Sequence, residues 1–102
     1  MKARVVLAPS ARDQLRDLIR WWRENRPWTG RHLPVEVKRV LKLLAEFPNL
    51  GQRYEVSGRP NLRRIRLRKT PYHLYHEPGD EPGVVLVVAA WSGVREEGPP
   101  LE

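Results

Sequence analysis

Residues 62–69 read LRRIRLRK and alternate apolar with cationic side chains. A period of two is typical of a β-strand that has one face on a core and the other in solvent. Ile65 and Leu67 then lie on the packed face. The open face carries three arginines: Arg64, Arg66 and Arg68. The stretch therefore predicts a sheet with other elements packed on one side and a cationic row on the other.

Four further stretches have the composition of strands. They are residues 2–7 (KARVVL), 52–56 (QRYEV), 72–77 (YHLYHE) and 84–91 (VVLVVAAW). The last is continuously apolar, which is typical of a strand that is covered on both faces or central in a sheet. Gly- and Pro-containing turns separate the last three strands.

Two amphipathic helices are predicted between the first two strands, because apolar residues recur at helical spacing over residues 11–22 and 33–47. Ser10 is the expected N-cap of the first helix, and Asp13 is expected in its first turn, where the helix dipole favours an anion. Pro34 is expected in the first turn of the second helix, where its missing N–H is tolerated.

This order of elements predicts one α+β domain over residues 1–102. An N-terminal strand is followed by a helical hairpin, which packs on a small antiparallel sheet of three to four further strands.

Charge and composition indicate the kind of partner and exclude several classes of protein. The chain has 19 Lys and Arg against 12 Asp and Glu, a net charge of +7, and residues 53–69 alone hold seven cations and one anion. An anionic partner is therefore expected. The chain has no cysteine, which excludes a disulfide scaffold, a zinc ribbon and thiol catalysis. Without an export signal or a membrane-length apolar run, a cytoplasmic protein is expected.

The arginine row is the main candidate binding site. Alternate residues on a strand are about 6.6 Å apart, and three planar guanidinium groups at that spacing suit successive phosphates or carboxylates. The alternative is a solvated edge strand whose charges prevent aggregation.

A second basic stripe is expected along the first helix, formed by Arg12, Arg16, Arg20 and Arg23. Three acidic residues lie three or four positions from several of them: Asp13, Asp17 and Glu24. The stripe is therefore interpreted as a salt-bridged, solvated outer face.

His73 and His76 lie three apart on a predicted strand, so they point to opposite faces and cannot chelate one metal as a pair. No metal site and no cofactor are expected. Either imidazole could act as a general acid or base beside the arginine row. Tyr72 and Tyr75 are expected to pack their rings in the sheet.

The tryptophans divide into two pairs. Trp22 and Trp91 fit the core. Trp21 and Trp28 lie near the tip of the helical hairpin, where they either form an apolar surface for a partner or cap the core.

Four motifs appear in an order that resembles the RelE/ParE superfamily of type II toxin–antitoxin toxins, nearest to its ParE-like branch. They are residues 8–15 (APSARDQL), residues 44–51 with the pattern Leu44…Phe47-Pro48…Gly51, residues 62–75, and residues 87–95 (VVAAWSGVR). The resemblance covers nearly the whole chain and implies the fold derived above. It also implies a cognate antitoxin, encoded by an adjacent gene, that neutralises the toxin within a hetero-oligomer.

The resemblance implies two alternative activities. ParE-like members inhibit growth by binding DNA gyrase, whereas RelE-like members are metal-independent endoribonucleases that cleave ribosome-bound mRNA. Many relatives have His where this chain has Ser92, and the catalytic lysines of ribosome-dependent relatives correspond to a region of arginines here. Both departures favour gyrase binding over catalysis. A third hypothesis is a basic nucleic-acid-binding module that acts with the antitoxin at the operator.

Candidate residues follow from these hypotheses. The anion- or target-binding set is Arg64, Arg66, Arg68 and Arg95. The antitoxin-binding set is Trp21, Trp28, Arg64 and Arg66. A nuclease would draw its groups from Arg64, Arg66, His73, Tyr75 and Arg95, with His76 or Glu55 as further proton carriers.

Overall fold

The computed structural model describes residues 2–93 and 98–101 as two helices packed on a five-stranded sheet. The helices are α1 (Pro9–Asn25) and α2 (His32–Glu46), and the strands are β1 (Arg4–Leu7), β2 (Gln52–Arg53), β3 (Arg63–Arg66), β4 (Tyr72–Pro78) and β5 (Val84–Ser92). The α+β class, the N-terminal strand and the helical hairpin are confirmed.

The sheet has the strand order β1-β5-β4-β3-β2 and is mixed. β2, β3, β4 and β5 form antiparallel pairs, as expected, but β1 pairs parallel with the first half of β5. The apolar β5 therefore has a neighbour on each side, which explains its composition.

The start of α1 differs from the prediction. The helix begins at Pro9, extended Ala8 precedes it, and no side chain caps it. Ser10 is consequently inside the helix, and Asp13 lies beyond the first turn. Proline is favoured at the first helical position because its φ is already helical and its missing N–H would have no partner there, so Pro9 sets the boundary.

Strands β2 and β3 are shorter than predicted. β2 ends at Arg53 instead of residue 56, and β3 covers Arg63–Arg66 instead of residues 62–69. Arg68 therefore lies in the connection to β4, where Leu67 N–H donates to the Tyr72 carbonyl over 3.0 Å.

The sheet has a core on each face. The larger core lies under the helices. Its buried members among the described residues are Ala11, Leu15, Leu33, Val37, Val40, Leu44, Leu67, Leu74, Val85, Val87 and Ala90. Ile65 and Trp22 pack against it, as expected from the alternation and the helical spacing. We call this side the helix face.

A smaller cluster of Leu62, Tyr75, Val88 and Ala89 lies on the other side, which we call the open face. Trp91 and Leu101 pack against this cluster. A Cβ atom added at Gly98 would clash with the Tyr54 hydroxyl oxygen, so residues 98–101 lie directly on this surface.

One side chain joins α1 to the sheet where β1 ends. The Gln14 Oε1 atom accepts a hydrogen bond of 2.9 Å from the Ala90 backbone N–H. Ala90 lies three residues beyond Val87, the last β5 residue paired with β1. Gln14 therefore satisfies a β5 donor that has no partner in β1.

Candidate anion-binding groove

A groove with a volume of about 690 Å³ runs along β3 beside α2. Its cationic lining consists of Arg39, Arg64, Arg66 and Arg68, and His73 completes the polar wall. Val40, Leu43, Leu50 and Ile65 supply its apolar part. We call it the basic groove. None of the described residues that line it is acidic, although Arg39 is paired with the buried Glu36 over 3.0 Å.

Arg64 is held by an aromatic layer on the open face. Its guanidinium carbon lies 5.0 Å from the centroid of the Tyr54 ring, a cation–π geometry. The Tyr54 ring packs edge-on against Tyr75, with centroids 5.1 Å apart. The layer limits the conformations of Arg64 and leaves its charge available.

Gly51 allows β2 to approach β3 at the edge of this groove. Its φ of +99° favours glycine, and a Cβ atom at this position would lie 2.5 Å from the Arg64 carbonyl oxygen. The Gly51 carbonyl also accepts a hydrogen bond from Arg63 Nη1 over 3.0 Å. A side chain at this position would therefore displace the strand that carries Arg64.

Glu36 fixes the connection that carries Arg68. It is 5% exposed and accepts hydrogen bonds from Arg39 Nη2, over 3.0 Å, and from the Arg68 backbone N–H. Burial alone would raise the pKa of Glu36, but these two donors and the charges of Arg39 and Arg68 outweigh it and hold the pKa below its usual value. Glu36 therefore stays ionised at neutral pH and anchors the β3–β4 connection to α2.

His73 lies opposite Arg66 in the β3–β4 register and 6.2 Å from Tyr75 between ring centroids. Burial, followed by the charges of Arg64 and Arg66, lowers the pKa of His73. Its Nδ1 atom is buried and has no hydrogen-bond partner in the described residues. Gly93 closes over the ring, because a Cβ atom there would lie 2.6 Å from His73 Cε1. His73 is thus a neutral imidazole at neutral pH beside two guanidinium groups.

The other predicted proton carriers lie elsewhere. His76 is on the helix face, 1% exposed, and its Nε2–H donates to the Leu50 carbonyl over 2.7 Å. Tyr75 is 2% exposed and sits in the open-face cluster. Glu55 is exposed and lines a different cavity, beside Arg53. As predicted, the two histidines point to opposite faces.

The structure separates the predicted antitoxin-binding residues. Arg64 and Arg66 line the basic groove, whereas Trp21 lines another groove with Tyr72, Trp91 and residues of α1. Trp21 is 46% exposed and Trp28 is 94% exposed, so Trp28 does not cap the core. Arg95, which was expected to contribute a cation, lies outside the described residues.

Arg39 and Tyr54 were absent from the sequence-based set. Arg39 lies next to the apolar position Val40 on α2, so the signal was a cation on the flank of the helix stripe. The chain pattern around Tyr54 contains no such signal, because its contact with Arg64 depends on the pairing of β2 with β3.

Two further observations concern all of the described residues and not the groove alone. No His, Asp and Glu side chains among them form a group of three able to hold a metal ion. Neither helix is both long and apolar enough to cross a bilayer.

Comparisons with known proteins find one matching family model and several similar structures. Residues 5–96 match the family model described as the ParE toxin of the type II toxin–antitoxin system parDE. A chain from the chromosomal ParDE toxin–antitoxin system of P. aeruginosa superimposes with a TM-score of 0.73 at 14% identity, over 89% of this chain and 96% of that one. No curated protein sequence matches the chain.

Two further solved structures are similar at lower TM-score. The RelBE2 toxin–antitoxin complex of Mycobacterium tuberculosis matches at 0.62 with 19% identity, over 90% of this chain and 99% of that chain. The isolated E. coli RelE toxin matches at 0.62 with 24% identity, over 93% and 88% respectively. These likenesses concern the fold.

Proposed function

The chain belongs to the ParE toxin family of type II toxin–antitoxin systems, and on that premise we propose that it stops bacterial growth by binding DNA gyrase through the basic groove. A cognate antitoxin neutralises it. Both events take place in the cytoplasm, where gyrase acts.

One observation carries the choice of binding over catalysis. Of the four side chains considered as proton carriers, His73 alone lines the basic groove. Cleavage of RNA by its own 2′-hydroxyl needs both a proton acceptor and a proton donor. With one imidazole and four arginines, the groove is better suited to holding an anionic surface than to cutting a phosphodiester.

A second candidate function rests on His73 itself. Its lowered pKa leaves the imidazole unprotonated at neutral pH, and Arg64 and Arg66 beside it could stabilise a phosphorane. An endoribonuclease that acts on ribosome-bound mRNA would use His73 as the base and would need a proton donor from its bound substrate or the ribosome.

The target proposal is tested by brief expression in bacteria, together with inhibition of supercoiling by purified gyrase. The wild type is expected to inhibit supercoiling and to induce the DNA damage response while transcripts remain intact. The variant Arg64→Ala/Arg66→Ala is expected to lose at least about tenfold in inhibition, because a charged hydrogen bond contributes about 1.5–3 kcal/mol. A matched variant, Lys38→Ala/Lys42→Ala, removes two exposed cations of α2 and keeps full activity.

The variant His73→Gln separates the two functions. Gyrase inhibition is expected to persist in it, because glutamine keeps a polar side chain and the arginines remain. Early loss of translation with cleaved transcripts, abolished by His73→Gln, would instead establish the nuclease. Harmless expression of the wild type without its antitoxin would refute both activities.

A further inference from the structure

The connection between α1 and α2 carries the most exposed large apolar side chain among the described residues. Trp28 is 94% exposed, and Trp21, in the last part of α1, is half-exposed. The Arg26 guanidinium carbon lies 5.9 Å from the centroid of the Trp21 ring, a cation–π geometry. Exposed tryptophans and cations therefore occur together at this end of the molecule. We call residues 21–31 the hairpin tip.

The hairpin tip is a hydrogen-bonded turn that lies against the end of α1. Thr29 N–H donates to the Arg26 carbonyl over 3.1 Å. Gly30 packs on the helix, because a Cβ atom there would lie 3.1 Å from the Arg23 Cα atom. The indole of Trp28 projects from this turn into solvent. An aromatic ring in water has a free-energy cost that burial against a partner would remove, so the exposed ring indicates an interaction surface.

The charge of the hairpin tip indicates an anionic partner. Its three arginines, Arg23, Arg26 and Arg31, are exposed, and none of them forms an ion pair in the described part of the chain. Glu24 is the one acidic residue that the sequence places in the tip. The next acidic residue along the chain, Glu36, is buried. The surface around the exposed indole is therefore cationic.

One protruding ring among cations limits the kind of partner. A specific protein interface is built on a patch of several apolar side chains that matches the shape of its partner. A nucleic-acid backbone would pair with the arginines but would leave the indole in water unless a base stacked on it. The surface of an anionic bilayer accepts both groups without a shaped counterpart, because tryptophan is favoured at the level of the lipid headgroups and arginine is attracted to their phosphates.

We propose that the hairpin tip binds the surface of an anionic phospholipid bilayer. The ring of Trp28 lies among the headgroups, and Arg23, Arg26 and Arg31 contact lipid phosphates. The tip shares no residue with the lining of the basic groove. The proposal therefore goes beyond the target-binding function and does not require gyrase binding.

The test measures co-sedimentation of the full chain with vesicles of phosphatidylcholine, either pure or with about one-third phosphatidylglycerol. The tip variants are Trp28→Ala and Arg26→Gln/Arg31→Gln. Circular dichroism checks that each variant is folded, and tryptophan fluorescence reports whether a ring enters the headgroup layer.

Two control variants match these changes outside the hairpin tip. Lys38→Gln/Lys42→Gln removes the same charge from exposed positions of α2. Phe47→Ala removes an exposed aromatic ring that follows the last residue of α2, about 22 Å along that helix from its first turn.

The wild type is expected to bind the anionic vesicles at least about tenfold more tightly than the neutral ones. Arg26→Gln/Arg31→Gln is expected to lose about tenfold or more, because each cation near an anionic bilayer contributes about fivefold. Trp28→Ala is expected to lose about fivefold or more, and each control variant less than about threefold. The tryptophan emission should shift to shorter wavelength on addition of anionic vesicles, and this shift should be absent in Trp28→Ala.

Four results would overturn the proposal. The first is equal binding to both kinds of vesicle, or no binding to either. The second is an equal loss in the arginine and lysine variants, which would reduce the effect to net charge. The third is binding that Trp28→Ala leaves unchanged. The fourth is binding of a single-stranded oligonucleotide through Trp28 without binding of vesicles, which would assign the tip to nucleic acid. Because no readout involves gyrase, failure of the target proposal leaves this result unaffected.

Discussion

His73 and His76 lie three residues apart on β4 and occupy opposite environments. His76, on the helix face, is buried, and its Nε2–H donates to the Leu50 carbonyl. His73, on the open face, lies between arginines and aromatic rings, and its buried Nδ1 has no partner in the described residues. One strand thus contributes to the main core on one face and to a charged, partly uncovered surface on the other. A satisfied polar group indicates a structural role, whereas the unsatisfied one lies at the proposed binding site.

The largest change in stability is expected from a substitution on the helix face. Leu74→Ala, on the helix face, is expected to lower the free energy of unfolding by about 2–5 kcal/mol, because a fully buried leucine leaves a cavity. Leu101→Ala, on the open face, is expected to cost less than about 1 kcal/mol, because Leu101 is only partly buried. Urea denaturation measures both values. Equal losses would show that the two faces contribute alike.

A smaller change in stability is expected when the pH is lowered. Burial lowers the pKa of His76 below its usual 6.5, so the unfolded chain takes up a proton at a higher pH than the folded protein. Above about pH 6.5 His76 is neutral in both states and costs no stability. The free energy of unfolding then falls as the pH decreases toward the folded-state pKa. His76→Gln is expected to reduce this loss between about pH 7.5 and pH 5.5, measured as the shift in urea midpoint. His73→Gln is expected to reduce it less, because His73 is only partly buried. An unchanged pH dependence of stability in His76→Gln would contradict the attribution of this loss to the lowered pKa of His76.

The smallest effect should come from the charged surface. Arg64→Ala is expected to lower stability by less than about 1 kcal/mol, through loss of the contact with Tyr54. Arg66→Ala, at an exposed position, is expected to change stability by less than about 0.5 kcal/mol. Thermal unfolding of the two variants tests this difference. A large loss in either would mean that the arginines hold the sheet together instead of serving a ligand.

The sequence predicted those parts of the molecule that depend on local periodicity. The alternation of Ile65 and Leu67 with arginines placed the two apolar side chains under the helices, and the spacing along α1 placed Leu15 in the core. It could not predict the parallel pairing of β1 with β5, because strand composition does not specify a distant partner. The predicted N-cap at Ser10 was wrong. Ser10 and Pro9 are both local signals for the start of a helix, and the helix begins at Pro9.

Prediction of the site was limited by the same dependence on distant pairing. Arg64, Arg66, Arg68 and His73 were found from their strand pattern, and they share the basic groove. Arg39 comes from a helix that only the tertiary fold brings beside β3. Within the part of the chain that the structure describes, Arg16 pairs with Asp13 and Asp17, whereas Arg12, Arg20 and Arg23 form no ion pair. This difference depends on side-chain geometry, for which sequence spacing gives only an average expectation.

The hydrogen bond from Ala90 N–H to Gln14 has a mechanical consequence. A helix that rests on a sheet through apolar contacts alone can slide, because such contacts have no direction. Here a sliding movement of α1 by one turn, about 5.4 Å, would break a directional bond and leave a β5 donor without a partner. The Gln14 amide, together with the Trp22 Nε1–H that donates to the Tyr72 hydroxyl over 2.9 Å, therefore fixes the longitudinal position of α1. The same bonds fix the position of the four arginines that α1 carries.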